Sequence, residues 1–271
     1  MTRKSKLLTL FSFEGGTGKT MLALNMGKMF VREKKKTLVV ELDIFNPSYH
    51  YLLNKKVEKE KYLTHWLLKR NISDSSKRKN FDDCILEHET GIDFAIVEPV
   101  LTLNEINNRY TTLTADTFLD FLMGLIVEMK IKYDFIIIDC PSTLNIFSVN
   151  AIFVADKPIL VASPNLFLLK ANAERIAHFP EYVKIKPLDI IVNNFKNTST
   201  PNEMKQKIMD ILNLSFDNQI IILEHSTTYF NDVVTEKKLF LDPERDYVLY
   251  NCIFNYVRSY TREQKDPPIQ L

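Results

Sequence analysis

The stretch from residue 7 to residue 20, LLTLFSFEGGTGKT, limits the fold more than any other part of this 271-residue chain. An apolar run leads into a turn that holds three of the six glycines of the protein, Gly15, Gly16 and Gly18. Glycines gather where the backbone takes positive φ angles or comes close to a ligand. A helical stripe follows, so the N–H groups of the turn would face an anion at a helix N-terminus. The stretch predicts a phosphate-binding loop.

Two residues of this loop predict nucleotide chemistry. In a P-loop the lysine reaches the β- and γ-phosphates and the following hydroxyl ligates Mg²⁺, which assigns these parts to Lys19 and Thr20. The general pattern G-x-x-x-x-G-K-[ST] is incomplete here, because its first glycine falls on Phe13. The predicted nucleotide-binding residues of this region are Gly15, Gly16, Thr17, Gly18, Lys19, Thr20 and Met21.

Acidic residues end two further apolar runs. Residues 133–139, YDFIIID, read as a buried strand that ends on Asp139, whose carboxylate would face the loop and suit Mg²⁺ directly or through water. Residues 37–42 read as another strand, and its end carries Glu41 and Asp43. Side chains two apart on a strand share a face, so both acids can point into one site. Asn193 follows a third apolar run, where an asparagine is equally consistent with a turn.

The order of apolar runs predicts the fold class. Short continuous strands that alternate with helices indicate an α/β protein with a mainly parallel twisted sheet and helices on both faces. We expect one domain over residues 1–271. The predicted strands are 7–13, 37–42, 92–97, 133–139, 158–162, 189–192 and 220–223, and the predicted helices are one after residue 20, a short one near 63–67, 114–130, 168–178, 203–212 and 244–262, with a polar loop at 71–80.

Composition excludes several classes of function. The formal net charge of +1 gives no overall attraction to nucleic acid, although basic residues concentrate at 3–36 and 55–79, where DNA or lipid could bind. The three cysteines have neither disulfide nor metal-ligand spacing, which favours a reducing, cytoplasmic location. No apolar run has membrane-spanning length. The five histidines show no ligand spacing.

Three motifs together resemble the ParA/MinD family of ATPases. GGTGKT resembles the deviant Walker A loop KGGxGK[ST], YDFIIIDCPS resembles the Walker B stretch, and KKTLVVELD resembles a second strand that ends in two acids. The resemblance implies a P-loop NTPase fold, ATP and Mg²⁺ as cofactors, and a nucleotide-dependent homodimer. It also implies Thr20 and Asp139 as metal ligands with Glu41 near the metal's water shell, Asp43 and Lys19 as catalytic residues, and Asn193 at the adenine.

Two departures bear on the mechanism. Glu14 stands where the family has its signature lysine, which reaches across the dimer to the partner's phosphates, and Glu41 replaces the first aspartate of the acid pair. A carboxylate at position 14 would repel phosphates unless it turned away or bound something else. We therefore expect Mg-ATP to bind, with slow hydrolysis or a different mode of dimerisation.

Three functions remain open at this point. The first is a switch resembling ParA/Soj-type partition ATPases, which uses ATP to control dimerisation and to position DNA or another cargo, with an activating partner protein. The second is a nucleotide-dependent scaffold that does not hydrolyse ATP, which Glu14 favours. The third is a biosynthetic enzyme on a related P-loop fold, of the dethiobiotin synthetase or kinase kind.

Overall fold

The computed structural model describes residues 5–69, 80–99, 115–179, 187–196, 200–212, 219–235 and 238–263. The strands are β1 Lys6–Phe11, β2 Thr37–Glu41, β3 Leu86–Glu87, β4 Asp93–Ala95, β5 Phe135–Asp139, β6 Lys157–Ala162, β7 Asp189–Phe195 and β8 Ile220–Glu224. The helices are α1 Lys19–Arg32, α2 Tyr49–Leu52, α3 Leu63–Lys69, α4 Ala115–Lys132, α5 Ile146–Val154, α6 Leu166–Ala177, α7 Pro201–Leu212, α8 Thr227–Thr235 and α9 Tyr247–Glu263. Short 3₁₀ turns form at Lys59–Lys61 and Phe81–Cys84.

One eight-stranded sheet organises the chain, in the order β3-β4-β2-β5-β1-β6-β7-β8. Every neighbouring pair is parallel except β3 and β4, which run antiparallel at one edge. The P-loop strand β1 lies between β5 and β6, with Leu10 opposite Asp139. The predicted α/β class with a mainly parallel sheet is confirmed. The carboxyl ends of β1, β2 and β5 meet at one edge, where ligands bind in such sheets.

Helices cover both faces of the sheet, and this explains why the strands are apolar without alternation. Along β1, Leu7 and Phe11 pack on the side of α4 to α7, whereas Leu8 and Leu10 pack on the side of α1 and α9. The two buried clusters lie on opposite faces of the sheet. Stacked rings such as Phe30 on Phe135, with centroids 3.8 Å apart, hold α1 against β5.

Besides the nine-residue α8, three elements were not predicted from the sequence. The first is α5, which is apolar all round and so lacks an amphipathic pattern; its start is set by a capping box between Asn145 and Ser148. The others are the four-residue α2 and the two-residue β3, which are too short to show a period. Of the predicted polar loop at 71–80, only Asn80 lies within the described residues. Among the described helices, none combines the length and apolarity needed to cross a membrane.

Candidate functional site

The glycine-rich loop joins β1 to α1 at the carboxyl edge of the sheet. Gly16 and Gly18 have φ angles of 73° and 91°, in the left-handed region that side chains disfavour. A Cβ at Gly18 would also lie 2.4 Å from Nδ2 of Asn193. Gly18 is the N-cap of α1, and no side chain caps that helix. The first N–H groups of α1 therefore face outward as an anion-binding terminus.

The side chain of Lys19 is held inside this loop by two hydroxyl groups. Its ammonium donates to Oγ of Ser12 at 2.9 Å and to Oγ of Ser142 at 2.8 Å. Burial lowers the pKa of Lys19, while the carboxylate of Asp139 nearby acts in the opposite direction. Among the described residues its cation is bonded to neutral groups and to no carboxylate, so its charge remains available to a phosphate. Ser12 and Ser142 were not predicted, since neither is part of the motif's own chemistry.

Asp139 at the end of β5 meets the first turn of α1. Its Oδ2 accepts from the hydroxyl of Thr20 at 2.7 Å and from the hydroxyl of Tyr49 at 3.1 Å. Its Oδ1 is buried and has no hydrogen-bond partner among the described residues. Burial raises the pKa of Asp139 to about 6, against the opposing effects of Thr20, Lys19 and Tyr49. Leaving a buried carboxylate oxygen unpaired is costly, which is typical of a group that awaits a ligand.

These oxygens fit Mg²⁺. The hydroxyl of Thr20 and the unpaired oxygen of Asp139 are the hard donors that this ion prefers. The described residues contain no group of three or more His, Cys, Asp and Glu side chains suited to a metal. A site built from one hydroxyl and one carboxylate agrees with that, because Mg²⁺ takes its remaining ligands from water and phosphates.

Glu41 lies at the end of β2, opposite Asp139 in the sheet register. Its Oε1 accepts from the backbone N–H groups of Ser48 and Tyr49 at 2.6 and 3.1 Å, and its Oε2 accepts from that of Val97 at 3.1 Å. Burial raises the pKa of Glu41 to about 8, although these three bonds oppose the shift. The carboxylate therefore joins two loops to the strand end. Its predicted place near the metal's water shell stays a prediction.

Asp43 starts the turn that follows β2. Its Oδ1 accepts from the backbone N–H groups of Phe45 and Asn46 at 3.2 and 3.0 Å. These bonds fix the side chain in a half-buried position at the same edge of the sheet as Lys19. Its predicted role in orienting a water molecule stays a prediction.

A cavity of about 250 Å³ opens beside the loop. Apolar side chains from β8, α8 and α9 form much of its wall, and Asn193 lies at its mouth, donating from Nδ2 to the carbonyl of Thr17 at 2.9 Å. An apolar slot with a few polar groups suits a planar base. The lining residues include Gly16, Gly18, Met21, Asn193, Leu223, Tyr229 and Leu249.

A larger recess of about 650 Å³ lies at the amino ends of β2 and β5, at the edge of the sheet opposite the P-loop, and is lined by charged side chains of both signs.

Glu14 points away from the interior of the loop. Its Oε2 accepts from the hydroxyl of Ser163 at 2.8 Å and its Oε1 from Nδ2 of Asn172 at 3.2 Å. The guanidinium of Arg175 contacts the same Asn172 and lies over the ring of Phe13, 5.4 Å from its centroid. The carboxylate is thus bound within its own chain, to the residue that follows β6 and to α6.

This fold and loop define a P-loop α/β protein. The family described as AAA domain matches residues 5–187, and the chain belongs to that family as a P-loop ATPase of the ParA/MinD type. The septum site-determining protein MinD of a Synechocystis species is 25% identical over 243 residues, 87% of this chain and 84% of the relative.

Solved structures share the fold. MinD of Pyrococcus horikoshii, complexed with Mg-ADP, superimposes with a TM-score of 0.70 at 16% identity, covering 96% of this chain and 98% of the other. A putative plasmid partition protein of Borrelia burgdorferi, bound to AMPPNP, gives a TM-score of 0.69 at 18% identity, covering 95% and 100%. Together with the family match and the sequence relatives, this confirms the predicted ParA/MinD-type P-loop ATPase.

Proposed function

We propose that this protein is a Mg-ATP-dependent switch, whose nucleotide state controls its dimerisation and the positioning of DNA or another cargo in the cytoplasm. The observation that carries the proposal is the cluster at the uncapped start of α1. There the buried Lys19 donates to Ser142, and the hydroxyl of Thr20 donates to Asp139, whose Oδ1 lacks a partner among the described residues. Relatives with this fold bind Mg-ADP and AMPPNP, which supports ATP and Mg²⁺ as the ligands.

The residues of the site divide the work of a nucleotide switch. The N–H groups of the loop and the ammonium of Lys19 bind the phosphates, and Thr20 with Asp139 holds Mg²⁺. Bound Mg²⁺ neutralises charge on the phosphate oxygens. Asp43 orients the attacking water, and the apolar cavity beside Asn193 takes the base.

Hydrolysis is slow in this proposal because of Glu14. A cation supplied to the phosphates from a partner subunit is worth roughly 10³ to 10⁵ in rate in related phosphoryl transfers. Glu14 carries the opposite charge and is bonded to Ser163 and Asn172 of its own chain. The same observation favours the second candidate, a nucleotide-dependent scaffold without turnover.

Sizing of the purified protein with and without Mg-ATP, with released phosphate read from the same samples, tests the proposal. We expect ATP to produce a dimer and phosphate to appear slowly, and Lys19→Ala to abolish both. A dimer without any phosphate release would support the scaffold instead. A protein that neither binds ATP nor changes size would refute both candidates.

The Glu14→Lys variant tests the role given to that residue. We expect faster phosphate release or tighter ATP-induced dimerisation, because the variant restores a cation at the loop. If both remain at the wild-type level, Glu14 does not limit the reaction. Glu14→Gln is the matched control, since it removes the charge without adding a cation.

DNA as the cargo has its own test. ATP-dependent retention on nonspecific duplex DNA should fall steeply with salt, because binding to phosphates releases counterions. Retention that is insensitive to salt, or absent with ATP, would point to a protein cargo. If the protein is retained on DNA, the basic residues at 55–61 are the first to substitute.

A further inference from the structure

Tyr49 is a fully buried tyrosine that no motif of the chain includes. Its side chain has 0% exposure, and its ring lies 6.0 Å from that of Phe94. The hydroxyl donates to Oδ2 of Asp139 at 3.1 Å, across 90 residues of sequence. A buried tyrosine hydroxyl needs a partner, and here the partner is the carboxylate assigned to Mg²⁺.

The hydrogen bonds of Asp139 are unequal. Both donors, the hydroxyls of Thr20 and Tyr49, meet Oδ2, whereas Oδ1 accepts none from the described residues. Two donors on one oxygen prevent the carboxylate from rotating to exchange its oxygens. Thr20 can keep donating its single proton while its lone pairs face a metal. Tyr49 is then the partner of Asp139 that is itself no metal ligand.

Glu41 fixes the position of Tyr49. Its Oε1 accepts from the backbone N–H groups of Ser48 and Tyr49, at the first residue of α2 and the one before it. Its other oxygen accepts from Val97, after β4. A carboxylate that accepts three backbone N–H bonds is strongly held. The end of β2 therefore sets where the tyrosine ring enters the site.

We propose that Tyr49 is a positioning residue for Asp139, and that Glu41 acts on the magnesium site through Tyr49 and not as part of the metal's water shell. This inference rests on the proposed function, because the site it concerns is the Mg-nucleotide site. It predicts that removal of one hydroxyl group weakens the hold on Mg²⁺ with little change to the fold. Outer partners of metal ligands typically contribute about tenfold or more to affinity.

The test is the rise in melting temperature that ADP produces, measured across a Mg²⁺ titration. Tyr49→Phe keeps the buried ring, and we expect its Mg²⁺ half-saturation to lie about tenfold higher than that of the wild type. The melting temperature without ligands should stay close to the wild-type value. Tyr51→Phe is the matched control, since Tyr51 lies on the same helix and is 65% exposed. An unchanged half-saturation in Tyr49→Phe would overturn the proposal.

Glu41 is tested by a double-mutant cycle on the same readout. Glu41→Gln alone should raise the Mg²⁺ half-saturation, and combining it with Tyr49→Phe should add little. If the two effects multiply, Glu41 acts on the metal separately and that half of the proposal is wrong. Glu41→Asp, which keeps the carboxyl group on a shorter side chain, replaces Glu41→Gln in the cycle if the latter does not fold.

Failure of the proposed function has a different signature. If ADP with Mg²⁺ does not raise the melting temperature of the wild type at all, the Mg-nucleotide site itself is wrong and this inference falls with it. If the wild type responds and Tyr49→Phe responds identically, only the positioning role is wrong.

Discussion

Two buried aspartates at opposite ends of the parallel strands share a partner type but differ in how completely they are bonded. Asp139 ends β5 at the edge that carries the P-loop, and Asp189 begins β7 at the other edge. Both accept hydrogen bonds from buried tyrosines. Oδ2 of Asp189 accepts from Tyr256 at 2.9 Å and from Tyr260 at 2.8 Å.

The difference lies in the second oxygen. Oδ1 of Asp189 accepts from Nζ of Lys157 at 3.0 Å and from the backbone N–H of Gln219 at 3.1 Å. Oδ1 of Asp139 has no such partner among the described residues. Burial and a tyrosine contact therefore do not separate a structural carboxylate from a functional one. The unpaired oxygen distinguishes the two, because folded proteins rarely leave a buried polar atom without a hydrogen-bond partner or a ligand.

The largest effect on stability is expected at the fully bonded aspartate. Asp189→Ala leaves Lys157 and two tyrosine hydroxyls without their acceptor, and should lower the free energy of unfolding by about 3 to 5 kcal/mol. Urea denaturation measures this. The Mg²⁺ half-saturation of the ADP response should not change. A loss below about 1 kcal/mol would mean that water replaces the carboxylate at that end of the sheet.

Asp139→Asn should reverse the pattern. The amide oxygen still accepts from Thr20 and Tyr49, so we expect the unfolding free energy without ligand to stay within about 1 kcal/mol of the wild type. The Mg²⁺ half-saturation of the ADP response should rise about 100-fold, since a metal ligand contributes more to affinity than its outer partners do. Asp189→Asn is the matched control and should lose stability instead. Equal losses of stability in the two variants would remove the distinction between the two carboxylates.

The tyrosines extend the comparison at a smaller scale. Tyr260→Phe removes one of the hydroxyls on Asp189 and should cost about 1 kcal/mol of unfolding free energy, with no change in the Mg²⁺ half-saturation. Tyr49→Phe also removes one of two hydroxyls on a buried carboxylate oxygen and should cost a similar unfolding free energy, but it should in addition raise the Mg²⁺ half-saturation about tenfold. Thermal and urea unfolding of both variants, beside the Mg²⁺ titration, measure the contrast. A Mg²⁺ defect in Tyr260→Phe would show that the two ends of the sheet are coupled.

The smallest change is expected from Glu14→Gln. The amide oxygen can still accept one of the two bonds from Ser163 and Asn172, and the side chain is only half-buried. We expect a loss of less than about 1 kcal/mol in urea denaturation. A larger loss would show that the charge of Glu14, and not only its hydrogen bonds, holds the P-loop to α6.

Local sequence patterns were sufficient to predict the fold class and the family. Three glycines before Lys19 and Thr20, and an apolar strand that ends on Asp139, depend only on neighbours in the sequence. The structure confirms the parallel sheet that the alternation of strands and helices predicted. The exceptions are explained by length and composition, since β3 has two residues and α5 is apolar on every side.

The partners of the charged side chains were decided by tertiary structure alone. Glu14 accepts hydrogen bonds from Ser163 and Asn172, which lie 149 and 158 residues away in the sequence. Tyr49 donates to Asp139 across 90 residues. Glu41 stands at the motif position where the family has an acid near the metal, yet its oxygens accept hydrogen bonds from backbone N–H groups of two loops. A sequence motif predicts which polar side chains lie at the end of a strand. Which of their oxygens stay unpaired depends on the distant segments that the sheet packs against them.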